Sequence, residues 1–519
     1  MRRLPLLLSS LSAAALLSAA ALPAVAEAPA AVAAPAAAAA VADGHTAFTY
    51  RDLIGLNRLG DPQVSPDGAW VIYAVTATDV EANSRSGSVW IRPVADDGSP
   101  RRLAISDGGA NTARWGSDNH IYFLSSRSGS SQVWRAEADG TGAMQVTNLP
   151  VDVNAYRLSR AADKLVMSLA VFPDCADLAC SVERARAEAE RKSTGRVYDR
   201  MFVRHWDTWN DGTQNHLFTQ AIGDDGQASG DPVWVSKGFD GDTPSKPFGD
   251  ESEFTFTPDG DAVVFSAREA GQSEPWSTNF DLWRTNGLSG DGLFENLTEA
   301  NPAWDTGAVF SPDGRTMAYL AMERPGFEAD KFSIFLKDVA SGQTRQIAAN
   351  WDRSPGGLQW AADGNTLYAT AGDVGQTRIF AIDTRNGAVV PVTGPGHVSS
   401  FGLTPSGIVF ARDALDAPSD LYFKTYRGRE MPRRLTNVNP SLDDKMFGEA
   451  EQFTFDGWNG ETVHGYVIKP AGYVEGRKYP VAFLIHGGPQ GSFGNSWSYR
   501  WNPSSYAGAG YAVVMIDFH

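Results

Sequence analysis

The sequence predicts an all-β, seven-bladed propeller followed by the opening of an α/β sheet. Three observations carry this: a four-residue turn that recurs along the chain, a strand pair that follows each copy, and a change of pattern after Pro440. The turn stands as Ser65-Pro66-Asp67-Gly68, Thr257-Pro258-Asp259-Gly260 and Ser311-Pro312-Asp313-Gly314. Proline presets φ at the second position, aspartate tolerates the third, and glycine takes the left-handed corner. Weaker copies lie at Gly116-Ser117-Asp118-Asn119, at 159–163, at Ala361-Ala362-Asp363-Gly364 and at Thr404-Pro405-Ser406-Gly407.

A strand-like alternation follows each turn, as in Val71-Ile72-Tyr73 and Val263-Val264-Phe265. A second strand then carries an aromatic, as in Val89-Trp90, Val133-Trp134 and Leu282-Trp283. A third element closes the unit: Val146-Thr147, Leu297-Thr298, Val392-Thr393, Leu435-Thr436. The turns start at 65, 116, 159, 257, 311, 361 and 404, so all intervals but one fall between 43 and 54 residues. That is the period of a propeller blade, and the one interval of 98 residues reads as a blade with an insertion. A pair of stacked β-sandwich sheets has no need of such a repeat.

The insertion holds a run of good helix formers from Ser181 to Lys192, then a segment dense in aromatics and charge from Tyr198 to Trp209. Loops projecting from a rigid array are where ligand contacts are commonly built. Glu183, Glu188 and Glu190 are candidates for holding a free α-amino group, and surface ion pairs along the helix account for the same glutamates. Trp206 and Trp209 are candidates for an apolar side-chain pocket, with Arg204 beside them.

Arg2 and Arg3, the apolar run Leu4 to Leu22 and Ala24-Val25-Ala26 read as an export signal cleaved after Ala26; an uncleaved anchor is the alternative. Residues 27–45 are an Ala/Pro-rich linker. The propeller is expected over 46–440 with the helical insertion near 175–215, and the α/β segment over 441–519. Export makes the protein periplasmic or secreted, where Cys175 and Cys180 closing a short loop are expected to form a disulfide; two free thiols are the alternative. A net charge of −17 argues against nucleic acid and anionic lipid as partners. Eight scattered histidines and two cysteines offer no metal-ligand spacing, so no metal or other cofactor is expected.

After Pro440, 453–455 and 463–468 read as a hairpin. Tyr479 to Ile485 reads as an uninterrupted buried strand, followed at once by His486-Gly487-Gly488-Pro489. A helix is expected near 498–509, then a buried parallel strand from Tyr511 to Asp517. Two glycines at the carboxyl end of a buried strand let backbone N–H groups approach a ligand, which suits an oxyanion hole. Gly487 and Gly488 are the candidates; a plain tight turn is the alternative.

The signal, the propeller, the lead-in hairpin and KYPVAFLIHGGPQG together resemble the prolyl oligopeptidase family of serine peptidases, over essentially everything after the linker. The resemblance implies a propeller capping an α/β-hydrolase domain, with a Ser-His-Asp active site between them that admits only short peptides. By the same resemblance Gly488, and with it Gly487, offers the oxyanion N–H, and His486 is not the catalytic base. The sequence departs from the family in one respect: G-x-S-x-G occurs nowhere in it. The nucleophile and its Asp and His partners follow this point in the family, so the chain is expected to be cut inside the hydrolase domain and inactive as it stands. The reading is an exported peptidase releasing N-terminal dipeptides, and it leaves homo-oligomerisation open. A non-enzymatic propeller that binds protein partners is the competing reading, and it has no use for the glycine turn.

Overall fold

The computed structural model describes residues 44–517 apart from 96, 97, 200, 270, 429, 489 and 490. The stretches expected to be an export signal and most of a linker lie outside the described residues. No helix among the described residues is long and apolar enough to cross a membrane.

Residues 58–434 form seven four-stranded antiparallel units, each a simple meander; the last two share one parallel bridge, Thr377 to His397. The recurring turn joins the first two strands of its unit. Ser65, Thr257 and Ser311 donate their hydroxyls to Asp67, Asp259 and Asp313 at 2.5–2.6 Å. Gly68, Gly260 and Gly314 close the corner at φ +72° to +74°, where a side chain would be strained.

Apolar side chains, chiefly from the first three strands, pack each unit against the next. The cluster of Ile72, Ile91, Ile121 and Phe123 joins the first unit to the second, and further clusters join successive units in order. A seventh joins Val409, Ala411 and Leu421 of the last unit to Val71 and Tyr73 of the first.

The long interval belongs to the third unit, whose second and third strands, Lys164–Val171 and Gln214–Ile222, are separated by 172–213. Helix α2 spans Leu178–Glu190, earlier at both ends than the 181–192 expected. Its start moves because Asp177 caps it, accepting from the Cys180 N–H at 2.9 Å. Cys175 and Cys180 are disulfide-bonded.

The C-terminal segment forms a four-stranded sheet in the order 450–456, 462–468, 512–516, 481–484, with only the last pair parallel. Two expectations are corrected here. Val481–Leu484 is the edge strand, not a buried one: Val481, Phe483 and Ile485 are 61%, 51% and 80% exposed, because a neighbour pairs on one side alone. The buried parallel strand expected over 511–517 is present as Ala512–Ile516, hydrogen-bonded on both sides, with Val513 and Met515 buried. The helix near 498–509 is shorter, α3 over Pro503–Gly508, because Asn502 caps it by accepting from the Ser504 N–H and Pro503 opens it.

The buried side chains of 46–56 cluster with the C-terminal segment, while the helix within this stretch also lies against Trp70–Asp79 of the first unit. Thr46–Ala47 pairs with Lys445–Met446, and helix α1 (Tyr50–Gly55) follows, its start fixed by a Thr49–Asp52 capping box. Phe48 is fully buried, 5.0 Å from the Phe447 ring and 5.5 Å from Trp497.

Candidate functional site

Two places answer to the expected chemistry. The first is the turn after Leu484. Its strand is held in register by parallel pairing with Ala512–Ile516, so the turn projects from the carboxyl end of a parallel strand, where α/β sheets place ligands. Gly488 has φ +139°, a conformation side chains rarely adopt. A Cβ at Gly487 would meet nothing within 4 Å, so the backbone there is open to an approaching group. His486 steadies the turn, its Nδ1 donating to the Gly487 carbonyl at 2.8 Å and its ring meeting the edge of Phe493 at 5.2 Å. Phe493 in turn donates its N–H to Asp517 at 2.6 Å.

The second is a cavity of about 720 Å³ within the insertion. Its walls are α2, the small hairpin of Arg204–His205 with Thr208–Trp209, and the loop carrying Asp242 and Lys246. Glu188 and Trp209 line it, as do Tyr198, Phe202, His205 and Glu274. Tyr198 stacks on Trp209 at 6.3 Å, and Arg204 lies 5.6 Å from the Trp209 ring.

The remaining sequence candidates do not line the cavity. Glu183 and Glu190 sit on the exposed surface of α2, and Glu188 is itself paired with Arg191 at 3.2 Å. Trp206, 73% exposed, packs outward on Phe248 at 5.8 Å. The glycine turn does not line it either.

Asp242, Lys246 and Glu274 were not legible as site residues. They come from a Gly/Pro-rich loop after the third unit and from the fourth unit, and only the fold brings them under the insertion. Burial pushes the carboxyl of Asp242 up against the opposing charge of Lys246, 3.6 Å away. Burial likewise raises Glu274, with Arg268 pulling it back. Burial also pushes on Asp211, yet the N–H and hydroxyl of Thr213 hold it below its ordinary value. The cavity therefore offers aromatic walls and half-buried carboxylates, a combination suited to a cationic group on an apolar stem.

The two places are reached through corresponding connections of the units. In every unit the second and third strands connect at one end, and in the third unit that connection is the insertion. The C-terminal sheet docks on the equivalent connections of the last two units. Asn495 donates its N–H to the Gly375 carbonyl at 2.7 Å, Gln376 donates to the Tyr466 hydroxyl at 3.1 Å, and Trp497 donates its N–H to Asp413 at 2.7 Å.

A scan against family models finds no match. Among curated proteins, dipeptidyl-peptidase 5 of Arthroderma otae is 30% identical over 90% of this chain and 67% of its own length. Dipeptidyl-peptidase 5 of Porphyromonas endodontalis is 29% identical over 90% and 66%. Among solved structures, Pyrococcus horikoshii acylaminoacyl peptidase superposes with a TM-score of 0.68 at 18% identity, covering 91% of this chain and 66% of that one. A puromycin-hydrolyzing peptidase of Mycobacterium tuberculosis gives 0.60 at 14%, covering 91% and 68%. The chain spans about two thirds of the length of these relatives. With the unit repeat, the glycine turn and these relatives in agreement, the chain belongs to the prolyl oligopeptidase family of serine peptidases.

Proposed function

We propose that this chain is the seven-bladed propeller and the first part of the α/β-hydrolase domain of an exported serine peptidase that releases dipeptides from the amino ends of short peptides. The cluster joining last unit to first supports a closed ring, since closure leaves no long sheet edge exposed. The export signal over 1–26 supports a periplasmic or secreted location. The observation that carries the chemistry is the Gly487-Gly488 turn on the end of a parallel strand. There it would donate an N–H to the oxyanion formed when a serine attacks the scissile carbonyl. The 519 residues hold no G-x-S-x-G, so on this reading the nucleophile, its Asp and its His come from sequence outside them. Glu188 and Trp209, with Asp242 and Glu274, would receive the cationic amino end and first side chain of the peptide.

The test is hydrolysis of dipeptidyl amides with free amino ends, and fluorophosphonate labelling, by the whole serine peptidase to which this reading assigns the chain. Both activities are expected. Gly488→Ala is expected to lower kcat by about 10²-fold with little change in KM. Absence of labelling and hydrolysis would favour a ring that binds protein partners, and a Gly488→Ala variant with full kcat would remove the turn from the chemistry.

A further inference from the structure

We infer that Arg268, which stands behind the insertion cavity without lining it, is the positioning residue that sets the cavity wall; the inference rests on reading that cavity as the peptide site. The hairpin forming this wall has two-residue strands, too short to hold a position by itself. Its place must come from packing on the rigid units. Phe248 touches it at His205 and Trp206, 6.3 and 5.8 Å between rings, but is itself 71% exposed.

Arg268 supplies the buried contact. It directly follows Val263–Ala267, the second strand of the fourth unit, in the connection that corresponds to the one carrying the insertion in the third unit. Its guanidinium carbon is 5.9 Å from the ring of Phe202 and 4.9 Å from that of Phe280. Phe202 lines the cavity and stacks on His205 at 5.0 Å and 19°. Phe280 stacks on Trp304 of the next unit at 4.7 Å and 22°. A ladder of flat groups thus runs from the cavity wall into the array, and Arg268 is the rung between insertion and unit.

The same guanidinium donates to the Ser277 carbonyl at 2.6 Å and pairs with Glu274 at 3.5 Å. Glu274 lines the cavity, so one side chain fixes both an aromatic wall and an acid. The planar guanidinium can stack and pair at once; an ammonium on a flexible stem cannot. Around Glu274, Asp240 and Asp242 push its carboxyl upward with burial, and Arg268 opposes them.

The experiment compares this chain with its Arg268→Met and Arg268→Lys variants, using amide hydrogen exchange and calorimetric titration with Ala-Phe amide. Arg268→Met is expected to speed exchange across 202–209 by about tenfold while the strands of the fourth unit stay protected. It is also expected to weaken binding and move the acid limb of the binding–pH profile up by about one unit, since Glu274 loses its cation. Arg268→Lys is expected to restore the acid limb but not the slow exchange. Unchanged exchange over 202–209 in Arg268→Met, or an equal rise across the fourth unit, would overturn the inference. Exchange that responds as stated in a chain that does not bind Ala-Phe amide would overturn the cavity reading and leave the positioning role standing.

Discussion

One buried threonine per unit closes four of the seven repeats. Thr147, Thr298, Thr393 and Thr436 each accept, through Oγ1 at 2.9 Å, an N–H of the third strand of their unit: those of Val133, Leu282, Ile379 and Leu421. Thr147, Thr298 and Thr436 donate onward to Gln132, Asp281 and Asp420. These are the threonines that end the third repeated element in the sequence, so the repeat was visible while its cause was not. A near-isosteric Thr298→Val leaves the buried Leu282 N–H and the Asp281 carboxylate each short of a partner. It is expected to cost about 1–3 kcal/mol in urea unfolding, and a change within error would mean that the hydroxyl is dispensable. Among the candidate site residues, Gly487, Gly488, Glu188 and Trp209 were legible because a turn type or residue chemistry marks them. Asp242 and Glu274 carry no such mark.

Strands were legible in kind and their exposure was not. An apolar run such as Val481 to Ile485 suits a buried strand, but burial depends on neighbours that no local pattern records. In the structure the run is an edge, while the similar run Ala512–Ile516 pairs on both sides. Exchange is therefore expected to be slow at Val513 to Met515 and fast at Val481 and Phe483; the reverse order would refute this sheet order. The first strands show a second feature the sequence hides. In six units, the fourth excepted, the register slips by a bulge in that strand, which strengthens its twist. Asp61 and Thr112 reach positive φ there, and Gly307 and Gly357 do the same in the fifth and sixth units.

At the scale of the molecule, the C-terminal segment is tied to the units through a few polar contacts, and one of them adjoins a titrating pair within the last unit. His397 Nδ1 lies 3.0 Å from Asp413, whose other oxygen accepts the Trp497 N–H. The hydrogen bond to Asp413 raises the imidazole pKa despite partial burial. Because the folded value is raised, this stabilisation is full below the unfolded value near about 6.5 and is lost as pH rises through the folded value. Exchange at 495–499, corrected for intrinsic rate, is expected to quicken over that rise, and His397→Gln is expected to abolish the dependence. A dependence that survives the substitution would place the titration elsewhere. The sequence by itself determined the number of repeats, the turn chemistry, the insertion and the glycine turn, because each follows from backbone geometry over a few residues. Only the tertiary structure decided which strand is the edge, that 46–56 joins the C-terminal segment, and which acids sit under the insertion. Those outcomes depend on which distant surfaces meet, and burial and pairing are properties of the meeting, not of either segment alone.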